Sequence, residues 1–238
     1  MGKNVLVIGA SGEIGIAIAR KFAREGYSLL LHYHQNVEPI QQLQLELNED
    51  VILGFYQADL SNSDGIHLLI NQLDFDIDGI VFASGNAHFN LFQDSLEKEM
   101  DEMLQLHVKA PWMITKHVLP NMIRKNKGHI VFITSIWGDR GASNEVMYSS
   151  VKGAQNSFVR ALAKEVSLSG ISVNGVSPGF IQTKMNAHLS AEEVHSIIEE
   201  IPLNRAGLPE EVANAVHFLM SDQSTYIRGE IIEVNGAW

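Results

Sequence analysis

Short and almost uniformly apolar runs alternate with longer amphipathic segments along the whole chain. The apolar runs are predicted β-strands, and they cover residues 5–8, 28–33, 51–56, 79–83, 129–134, 171–176 and 230–234. A sheet with one wet face would alternate polar and apolar side chains, whereas these runs suit strands that are covered on both faces. The pattern therefore predicts a buried parallel sheet.

The segments between these strands have the apolar spacing of α-helices. Predicted helices cover residues 13–25, 38–47, 63–73, 96–125, 146–168 and 210–221. Strands that alternate with helices along a chain are typical of an α/β fold in which helices cover both faces of a parallel sheet. We therefore expect three layers around a doubly wound, seven-stranded sheet, which is a Rossmann fold.

The chain is expected to form a single domain. It has 238 residues, of which 45% are hydrophobic, and no Pro-, Gly- or Ser-rich stretch divides it. That length is ordinary for one α/β domain. We therefore predict one dinucleotide-binding and catalytic domain over residues 1–238. Residues 184–204 have helical spacing, interrupt the path to the last strand and are the predicted substrate lid.

Composition argues against several function classes. The chain has no cysteine, and its 10 histidines form no HExxH or similar pattern, so no metal site is expected. A net charge of −11 argues against binding to nucleic acid or to an anionic membrane surface. The first strand begins at residue 5, which leaves no signal peptide, and no apolar run approaches the ~20 residues that span a bilayer. The expected location is the cytoplasm.

The first predicted strand runs directly into a glycine-rich turn. Its candidate ligand-binding residues are Gly9, Ser11, Gly12, Glu13, Ile14 and Gly15. Glycine lets the backbone approach a pyrophosphate closely, and the following helix N-terminus offers unpaired N–H groups and the positive end of its dipole. The spacing and the position after the first strand predict a dinucleotide-binding loop, although the glycines of an ordinary tight turn would look similar.

Ser135, Tyr148 and Lys152 form a candidate proton-transfer site. Tyr148 and Lys152 are four residues apart on one predicted helix, and Ser135 directly follows the fifth predicted strand. A lysine ammonium one helical turn away would favour the phenolate and lower the pKa of Tyr148 from its usual ~10. The serine hydroxyl could hold a carbonyl or alcohol oxygen. The alternative is that Tyr148 and Lys152 are an ordinary surface pair.

These features together resemble one enzyme family, the short-chain dehydrogenases/reductases. The resemblance rests on the glycine turn, Asp59-Leu60 after the third strand, Ser135, the Tyr148/Lys152 pair and Pro178-Gly179 after the sixth strand. It extends to the tail over residues 226–236. Among relatives, the 3-oxoacyl-[acyl-carrier-protein] reductases look most similar in length and in that tail.

The resemblance implies a role for each catalytic residue. Tyr148 would donate a proton to the substrate oxygen, Lys152 would lower its pKa and hold the nicotinamide ribose, and Ser135 would bind the developing oxyanion. His107 occupies the position of the family's catalytic asparagine. Its imidazole could support a water on the lysine, or it could simply be a satisfied core histidine. The nicotinamide cofactor would bring the hydride.

The resemblance also implies the cofactor contacts. Asp59 would bind the adenine, or else cap the following helix, and Leu60 would supply its amide. Besides Tyr148 and Lys152, the chain ends of strands four and six would line the nicotinamide and pyrophosphate. The implied residues there are Ala83, Ser84, Gly85, Pro178, Gly179, Ile181 and Thr183.

Two stretches depart from the family pattern. Glu13 stands where the family has glycine, and a carboxylate there could cap helical N–H groups but would repel a phosphate. Residues 82–85 replace the family's Asn-Asn-Ala-Gly run, so only the glycine is kept. That run and His107 look like the bacillar reductases that convert the 5-aminopentanone modification on elongation factor P to an alcohol.

The form of the cofactor depends on the end of the second strand. A carboxylate there usually binds the ribose diol of the non-phosphorylated dinucleotide, but this chain has His34 and Asn36 instead. Without a carboxylate at this position, the site could accept the 2′-phosphate of NADP(H). This chain also lacks an arginine that would pair with the 2′-phosphate, because Gly12 stands where phosphate-preferring relatives often carry one. NADP(H) is therefore the preferred cofactor, and NAD(H) is the alternative.

Trp137, Glu145 and Met185 are the candidate substrate contacts. A carboxylate at Glu145 would attract an ammonium-bearing ketone and repel an acidic one. Two protein-bound ketones remain open as substrates. An acyl carrier protein is acidic and could use only the basic cluster at residues 124–127, whereas elongation factor P would present an amine-bearing ketone.

An alternative of another class is a non-catalytic dinucleotide sensor. Such a protein has no need of a proton relay, and the retention of Ser135, Tyr148 and Lys152 argues against it. The family resemblance further suggests a homotetramer built on the helices around residues 107–119 and 154–166.

Overall fold

The computed structural model describes residues 3–47 and 49–238. Within them the strands are β1 (Asn4–Ile8), β2 (Ser28–Tyr33), β3 (Ile52–Gln57), β4 (Gly79–Phe82), β5 (Gly128–Ile133), β6 (Ile171–Pro178) and β7 (Ile231–Val234). They form one seven-stranded parallel sheet in the order β3-β2-β1-β4-β5-β6-β7. The predicted parallel sheet and Rossmann fold are confirmed.

Helices cover both faces of the sheet. In the described part of the chain they are α1 (Glu13–Arg24), α2 (Glu38–Glu46), α3 (Ser63–Gln72), α4 (Glu97–Leu104), α5 (Ala110–Lys125), α6 (Trp137–Arg140), α7 (Val146–Val166), α8 (Ala191–Glu200) and α9 (Pro209–Leu219). Of these, α6 was not predicted. None of the helices described is both long and apolar enough to cross a membrane.

Each face of the sheet has its own apolar core. Successive residues of a strand point to opposite faces, and β1 shows the consequence. Leu6 and Ile8 pack into the core under α3, α5 and α7, whereas Val5 and Val7 pack into the core under α1, α2 and α9. All four side chains are fully buried. This burial on both faces is the reason why the strands read as continuous apolar runs.

The strand order creates a crevice at the carboxyl ends of β1 and β4. The chain moves outward from β1 through β2 to β3, then returns to the other side of β1 and continues from β4 to β7. The connections that leave β1 and β4 therefore turn away from each other, and ligands of open α/β sheets bind where this happens. The glycine turn after β1 and Ser135 after β5 both lie at this edge.

The predicted helix over residues 96–125 is interrupted. A π-helical turn, Gln105–Lys109, joins α4 to α5. Pro111 explains the interruption, because proline has no N–H to donate to the carbonyl four residues earlier, which belongs to His107. That carbonyl instead accepts a hydrogen bond of 2.8 Å from Gln155 Nε2 on α7. The turn places His107 against α7.

The basic cluster at residues 124–127 lies at the opposite edge of the sheet, where β5 begins. Lys125 Nζ forms ion pairs with Asp76 and Asp78, at 3.3 and 3.0 Å. The length of β5 separates this cluster from the catalytic edge by roughly 16 Å, at the usual rise per residue. The cluster is thus both partly neutralised and remote from Ser135.

Candidate active site

Ser135, Tyr148 and Lys152 meet in one cleft at the carboxyl edge of the sheet. Ser135 follows β5 directly, and α7 carries the tyrosine and the lysine one turn apart. All three side chains are buried, and all three line a cavity of 250 Å³. The Ser135 hydroxyl accepts a hydrogen bond of 3.2 Å from the main-chain N–H of Trp137, which fixes the loop after β5.

The expected lowering of the Tyr148 pKa by Lys152 is wrong. Burial is the largest effect on the phenol and raises its pKa, and the Glu145 carboxylate raises it further. The hydrogen bond with Ser135 offsets this only in part. Lys152 Nζ lies 5.5 Å from the ring centroid, but burial has removed much of its own charge. Tyr148 therefore keeps its proton at neutral pH, as a proton donor must.

Lys152 is almost fully buried beneath the cleft. Its Nζ donates a hydrogen bond of 2.8 Å to the main-chain oxygen of Ile133, at the end of β5. Burial lowers the pKa of Lys152 to about 7, because the charged ammonium has lost its hydration. Near neutral pH the side chain is thus poised between its charged and uncharged forms.

His107 lies on the π-helical turn and is buried beside Tyr148, with the two rings perpendicular and 5.9 Å apart. Its Nε2 lies 3.1 Å from the main-chain oxygen of Asn86, whereas Nδ1 has no hydrogen-bond partner among the described residues. A Cβ placed on Gly85 would lie 3.1 Å from this ring and 3.9 Å from Lys152 Nζ. Burial holds the pKa of His107 well below its usual range. A neutral and half-satisfied imidazole therefore borders the same small space as the lysine.

The glycine turn has the form of an anion cradle. Gly9 has a φ of +81°, and a Cβ there would lie 2.5 Å from the main-chain nitrogen of Ser84. A Cβ on Gly15 would lie 2.1 Å from the Gly9 oxygen, so neither position admits a side chain. Gly12 is the N-cap of α1 and supplies no side-chain hydrogen bond, which leaves the first N–H groups of the helix available to a phosphate. These features fit a dinucleotide pyrophosphate.

His32, which the sequence analysis did not select, braces this turn. It is buried at the end of β2, and its Nδ1 accepts a hydrogen bond of 3.2 Å from the Gly9 N–H. Its Nε2 lies 3.0 Å from the main-chain oxygen of Ala58 and donates to it. Burial lowers the pKa of His32 to about 4, so the ring is neutral and can accept and donate at once.

Glu13 connects the glycine turn to the predicted lid. Its Oε1 accepts a hydrogen bond of 3.1 Å from the main-chain N–H of Lys184, which begins the 3₁₀ turn Lys184–Asn186. The carboxylate thus holds the lid and does not cap an N–H group of its own helix. Ser11 lies in the turn before it, and Ile14 lines the catalytic cleft.

Asp59 and His34 lie at the outer end of the same edge. The Asp59 carboxylate accepts hydrogen bonds from Ser61 N and Oγ, at 2.9 and 2.7 Å, and from Asn62 Nδ2 at 2.8 Å. Burial alone would raise the pKa of Asp59, but these bonds and the His34 ring, 3.8 Å away, lower it. Asn62 is the N-cap of α3, so Asp59 braces the turn before the helix and does not cap it.

The other predicted cofactor residues divide into two groups. Leu60 buries its side chain, so only its main chain can face a ligand, and Asn36 Oδ1 accepts a hydrogen bond of 3.1 Å from the N–H of Glu38. The residues at the ends of β4 and β6 line the catalytic cleft, and they are Ala83, Ser84, Gly85, Pro178, Gly179, Ile181 and Thr183.

The three predicted substrate residues, Trp137, Glu145 and Met185, also line the cleft. Glu145 is half-buried at the N-terminus of α7. Burial raises the pKa of its carboxyl, and only the charge of His188 opposes this rise. The cleft therefore contains a carboxylate in a largely apolar wall, which is the arrangement that a cationic group would stabilise.

Sequence analysis missed two side chains that complete the cleft, Phe89 and His188, and it expected Trp238 only as part of an apolar tail. Phe89 and His188 pack together with ring centroids 4.2 Å apart, and Trp238 packs against Trp137 at 5.3 Å. Phe89 lies in an irregular segment, and His188 lies in the predicted lid but in no recognisable motif. Of the tail over residues 226–238, only the end contributes to the cleft, because Tyr226 is fully exposed and lies outside it.

Known proteins resemble this chain along its whole length. A family model described as enoyl-(acyl carrier protein) reductase matches residues 9–237. A Bacillus subtilis (strain 168) protein named uncharacterized oxidoreductase YmfI is 46% identical over 240 residues, which cover 100% of this chain and 99% of that protein. The 3-oxoacyl-[acyl-carrier-protein] reductase FabG of Staphylococcus epidermidis is 32% identical over 240 residues, with 99% and 98% covered.

A solved structure from Beutenbergia cavernae has a similar fold. It is 28% identical, with a TM-score of 0.92, and the match covers 100% of this chain and 96% of that one. It is described as an NAD(P)-dependent gluconate 5-dehydrogenase, and it holds NADP at low occupancy. The similarity therefore includes every element that contributes to the cleft.

Proposed function

The chain belongs to the short-chain dehydrogenase/reductase family of oxidoreductases, which bind nicotinamide dinucleotides, and we propose that it is an NADPH-dependent reductase that converts a ketone to a secondary alcohol. The observation that carries the proposal is the convergence of Ser135, Tyr148 and Lys152 in one cleft beside the glycine turn. A nicotinamide supplies the hydride when it is bound.

The residues of the cleft divide the remaining work. Tyr148 is protonated at neutral pH and gives its proton to the carbonyl oxygen as the alkoxide develops. Ser135 holds that oxygen through its hydroxyl, which is anchored on the Trp137 N–H. The fraction of Lys152 that carries a proton near pH 7 stabilises the phenolate that forms when Tyr148 gives up its proton, since a nearby positive charge favours the anion. His107 lies behind Gly85 and beside the lysine, where its imidazole would support a water on Lys152.

Oxidation of NADPH with a panel of small diketones and ketoesters tests this proposal against the alternative of a dinucleotide sensor. A sensor would bind the dinucleotide and turn over none of the panel. The convergence of a protonated phenol with a serine and a lysine supports the enzyme, because binding alone requires no transferable proton.

We expect NADPH to bind more tightly than NADH in direct titration. His34 is half-exposed just after β2, and β2 itself carries no carboxylate, although the Asp59 carboxylate lies 3.8 Å from the His34 ring and competes for it. An exposed contact of this kind is worth about 1 kcal/mol, or roughly five-fold in Kd.

Two variants make this titration specific. His34→Ala should remove most of the preference, whereas His67→Ala, an exposed histidine on α3, should leave it unchanged. Equal affinities of the parent protein for NADPH and NADH, or tighter NADH, would show that the end of β2 does not recognise the phosphate.

A second candidate function concerns the substrate, namely the 5-aminopentanone modification on elongation factor P. The half-buried Glu145 carboxylate in an aromatic cleft favours it over a ketone on an acyl carrier protein. Cation–π contact with rings such as Phe89 and Trp137 would add to the attraction for an ammonium group. An acidic carrier protein finds no support at residues 124–127, which lie at the far edge of the sheet.

Glu145→Gln tests the sign of this preference. It removes one charge at nearly constant shape, and a partly screened pair should be worth about 1 kcal/mol, or about five-fold in kcat/KM. An amine-bearing ketone should become a worse substrate, and an acidic ketone a better one. Both shifts should shrink in high salt.

Equal effects of Glu145→Gln on amine-bearing and neutral ketones would remove the electrostatic support for the second candidate. Glu165→Gln removes an exposed carboxylate near the other end of α7 and is the matched control. It should change kcat/KM for neither ketone. A mass comparison of carrier-bound acyl groups and of elongation factor P in a deletion strain would then identify the native substrate.

The organisation of the protein completes the proposal. We place it in the cytoplasm as one domain over residues 1–238, with residues 184–204 as the lid. We also propose a homotetramer that pairs the long helices of different subunits. Leu104 and Trp112 support it, because these large apolar side chains are half-exposed on the outer surface of α4 and α5.

A further inference from the structure

The wall of the cleft contains an indole that the proposed reaction does not use, that of Trp238. It packs edge-to-face against Trp137, with ring centroids 5.3 Å apart. Trp137 in turn donates its main-chain N–H to the Ser135 hydroxyl. The Trp238 indole therefore lies one side chain away from the residue that would hold the substrate oxygen.

The main chain of Trp238 is clamped in place. Arg140 donates from Nη1 to the main-chain oxygen of Trp238 at 2.6 Å and from Nη2 to Glu233 at 2.9 Å. Asn235 Nδ2 donates to the same Trp238 oxygen at 2.8 Å. Ala237 has a φ of +70°, a conformation that residues other than glycine adopt only where their surroundings impose it. These polar contacts fix the main chain from which the indole projects.

The indole also reaches the predicted lid. Its Nε1 donates a long hydrogen bond of 3.4 Å to Glu200, the last residue of α8. Ile197, on the same helix, lines the cleft. Trp238 therefore spans the gap between the loop after β5 and the lid, and it closes the cleft from that side.

We propose that Trp238 is a specificity-determining residue that limits the length of the ketone substituent entering the cleft, and that the substrate class is ketones whose inserted chain is short. The inference rests on the proposed ketone reduction. The main chain of Trp238 is held by Arg140 and Asn235, and its indole lies between Trp137 and Glu200, so the side chain resists the displacement that a longer substituent would require.

The test measures kcat/KM along a series of ethyl 3-oxoalkanoates, from 3-oxobutanoate to 3-oxooctanoate, and takes the ratio of the longest to the shortest ester for each variant. In the parent enzyme the ratio should be below one. Trp238→Ala should raise kcat/KM by about four-fold for each methylene that the opened space accommodates. Its ratio should exceed the parent's by at least about ten-fold.

Three further variants separate this role from a general structural one. Trp238→Phe keeps a ring in the wall, so its ratio should stay within about three-fold of the parent's. Arg140→Gln keeps the indole and removes one of the two donors to the Trp238 oxygen, so it should move the ratio in the direction of Trp238→Ala, by a smaller factor. Trp112→Ala changes a side chain on the outer surface of α5 and should leave the ratio unchanged. A loss of assembly or of active enzyme lowers kcat/KM for the long and the short ester equally, so it cancels in their ratio.

The outcomes are distinguishable. A Trp238→Ala enzyme that reduces the short ester and keeps the parent's ratio overturns the inference. If that variant does not fold, an unchanged ratio in Arg140→Gln overturns it as well. A parent protein that binds NADPH but reduces no ketone contradicts the proposed function instead.

Discussion

Replacing Tyr148 with phenylalanine is expected to lower ketone-reducing turnover by about 10²-fold or more while NADPH still binds. Phenylalanine keeps the ring that packs beside His107 and removes the hydroxyl that donates the proton. Burial and Glu145 keep that hydroxyl protonated at neutral pH, so in the parent enzyme Tyr148 has a proton to donate. Single-turnover measurement of NADPH oxidation, with the affinity for NADPH measured separately, checks the result.

Tyr56→Phe is the matched control for this experiment. Tyr56 is also buried, but it lies on β3 in the core and not in the cleft. Its replacement should leave turnover within about two-fold of the parent. Near-normal turnover of Tyr148→Phe would end the proposed mechanism, whereas equal losses in both variants would indicate damage to the fold.

The fold could be predicted from the sequence because a sheet buried on both faces leaves an unambiguous pattern. Strands such as β1 and β6 carry apolar or small residues at nearly every position, and only helices can cover such a sheet. The predicted strand boundaries agree with the structure to within about two residues, which is the usual scatter of such boundaries. The interruption at Gln105–Lys109 could also have been found, since Pro111 marks a missing hydrogen bond.

The site could be predicted only where chain topology decides proximity. Residues that directly follow parallel strands, such as Ser135 after β5, must meet at one edge of the sheet. Phe89 reaches the same cleft from an irregular segment seven residues past β4, whose path leaves no periodic signal, whereas Trp238 lies only four residues past β7. His32 is different, because it ends a predicted strand, but its role depends on two main-chain partners that a sequence does not display.

The acidity of Tyr148 shows a second limit of the sequence. A spacing of four residues indicates that the tyrosine and Lys152 share a helix face, but not how deeply both are buried. Burial disfavours the phenolate and the ammonium alike, so it raises the pKa of Tyr148 and lowers that of Lys152. The proximity of Lys152 alone would predict a lowered pKa for Tyr148.

The burial of Lys152 has a consequence for stability that the variant Lys152→Met should reveal. Turnover and NADPH affinity should both fall, turnover by about 10²-fold or more, since one ammonium would stabilise the phenolate and hold the ribose. The same variant should nevertheless be more stable than the parent at pH 6. A catalytic group that is buried for function commonly lowers the stability of the folded protein.

The sign follows from the two pKa values of the lysine. It is about 7 in the folded protein and about 10.4 in an unfolded chain, so between these values the unfolded state binds more protons. The parent's free energy of unfolding therefore rises with pH across this window, and below pH 7 the folded state bears the whole cost of the buried ammonium. That cost is up to about 5 kcal/mol, at 1.36 kcal/mol per pKa unit.

Methionine removes this cost but leaves the main-chain oxygen of Ile133 without its hydrogen bond, which costs about 1–3 kcal/mol. Urea unfolding should therefore show Lys152→Met to be more stable than the parent by roughly 2–4 kcal/mol at pH 6. At pH 10 the order should reverse, because the parent lysine is then neutral in the folded state and keeps its hydrogen bond.

Lys164→Met, an exposed lysine on α7, should show no such reversal. A constant difference between Lys152→Met and its parent at both pH values would mean that the folded-state pKa of Lys152 is not lowered, and that the ammonium is permanently charged in the cleft.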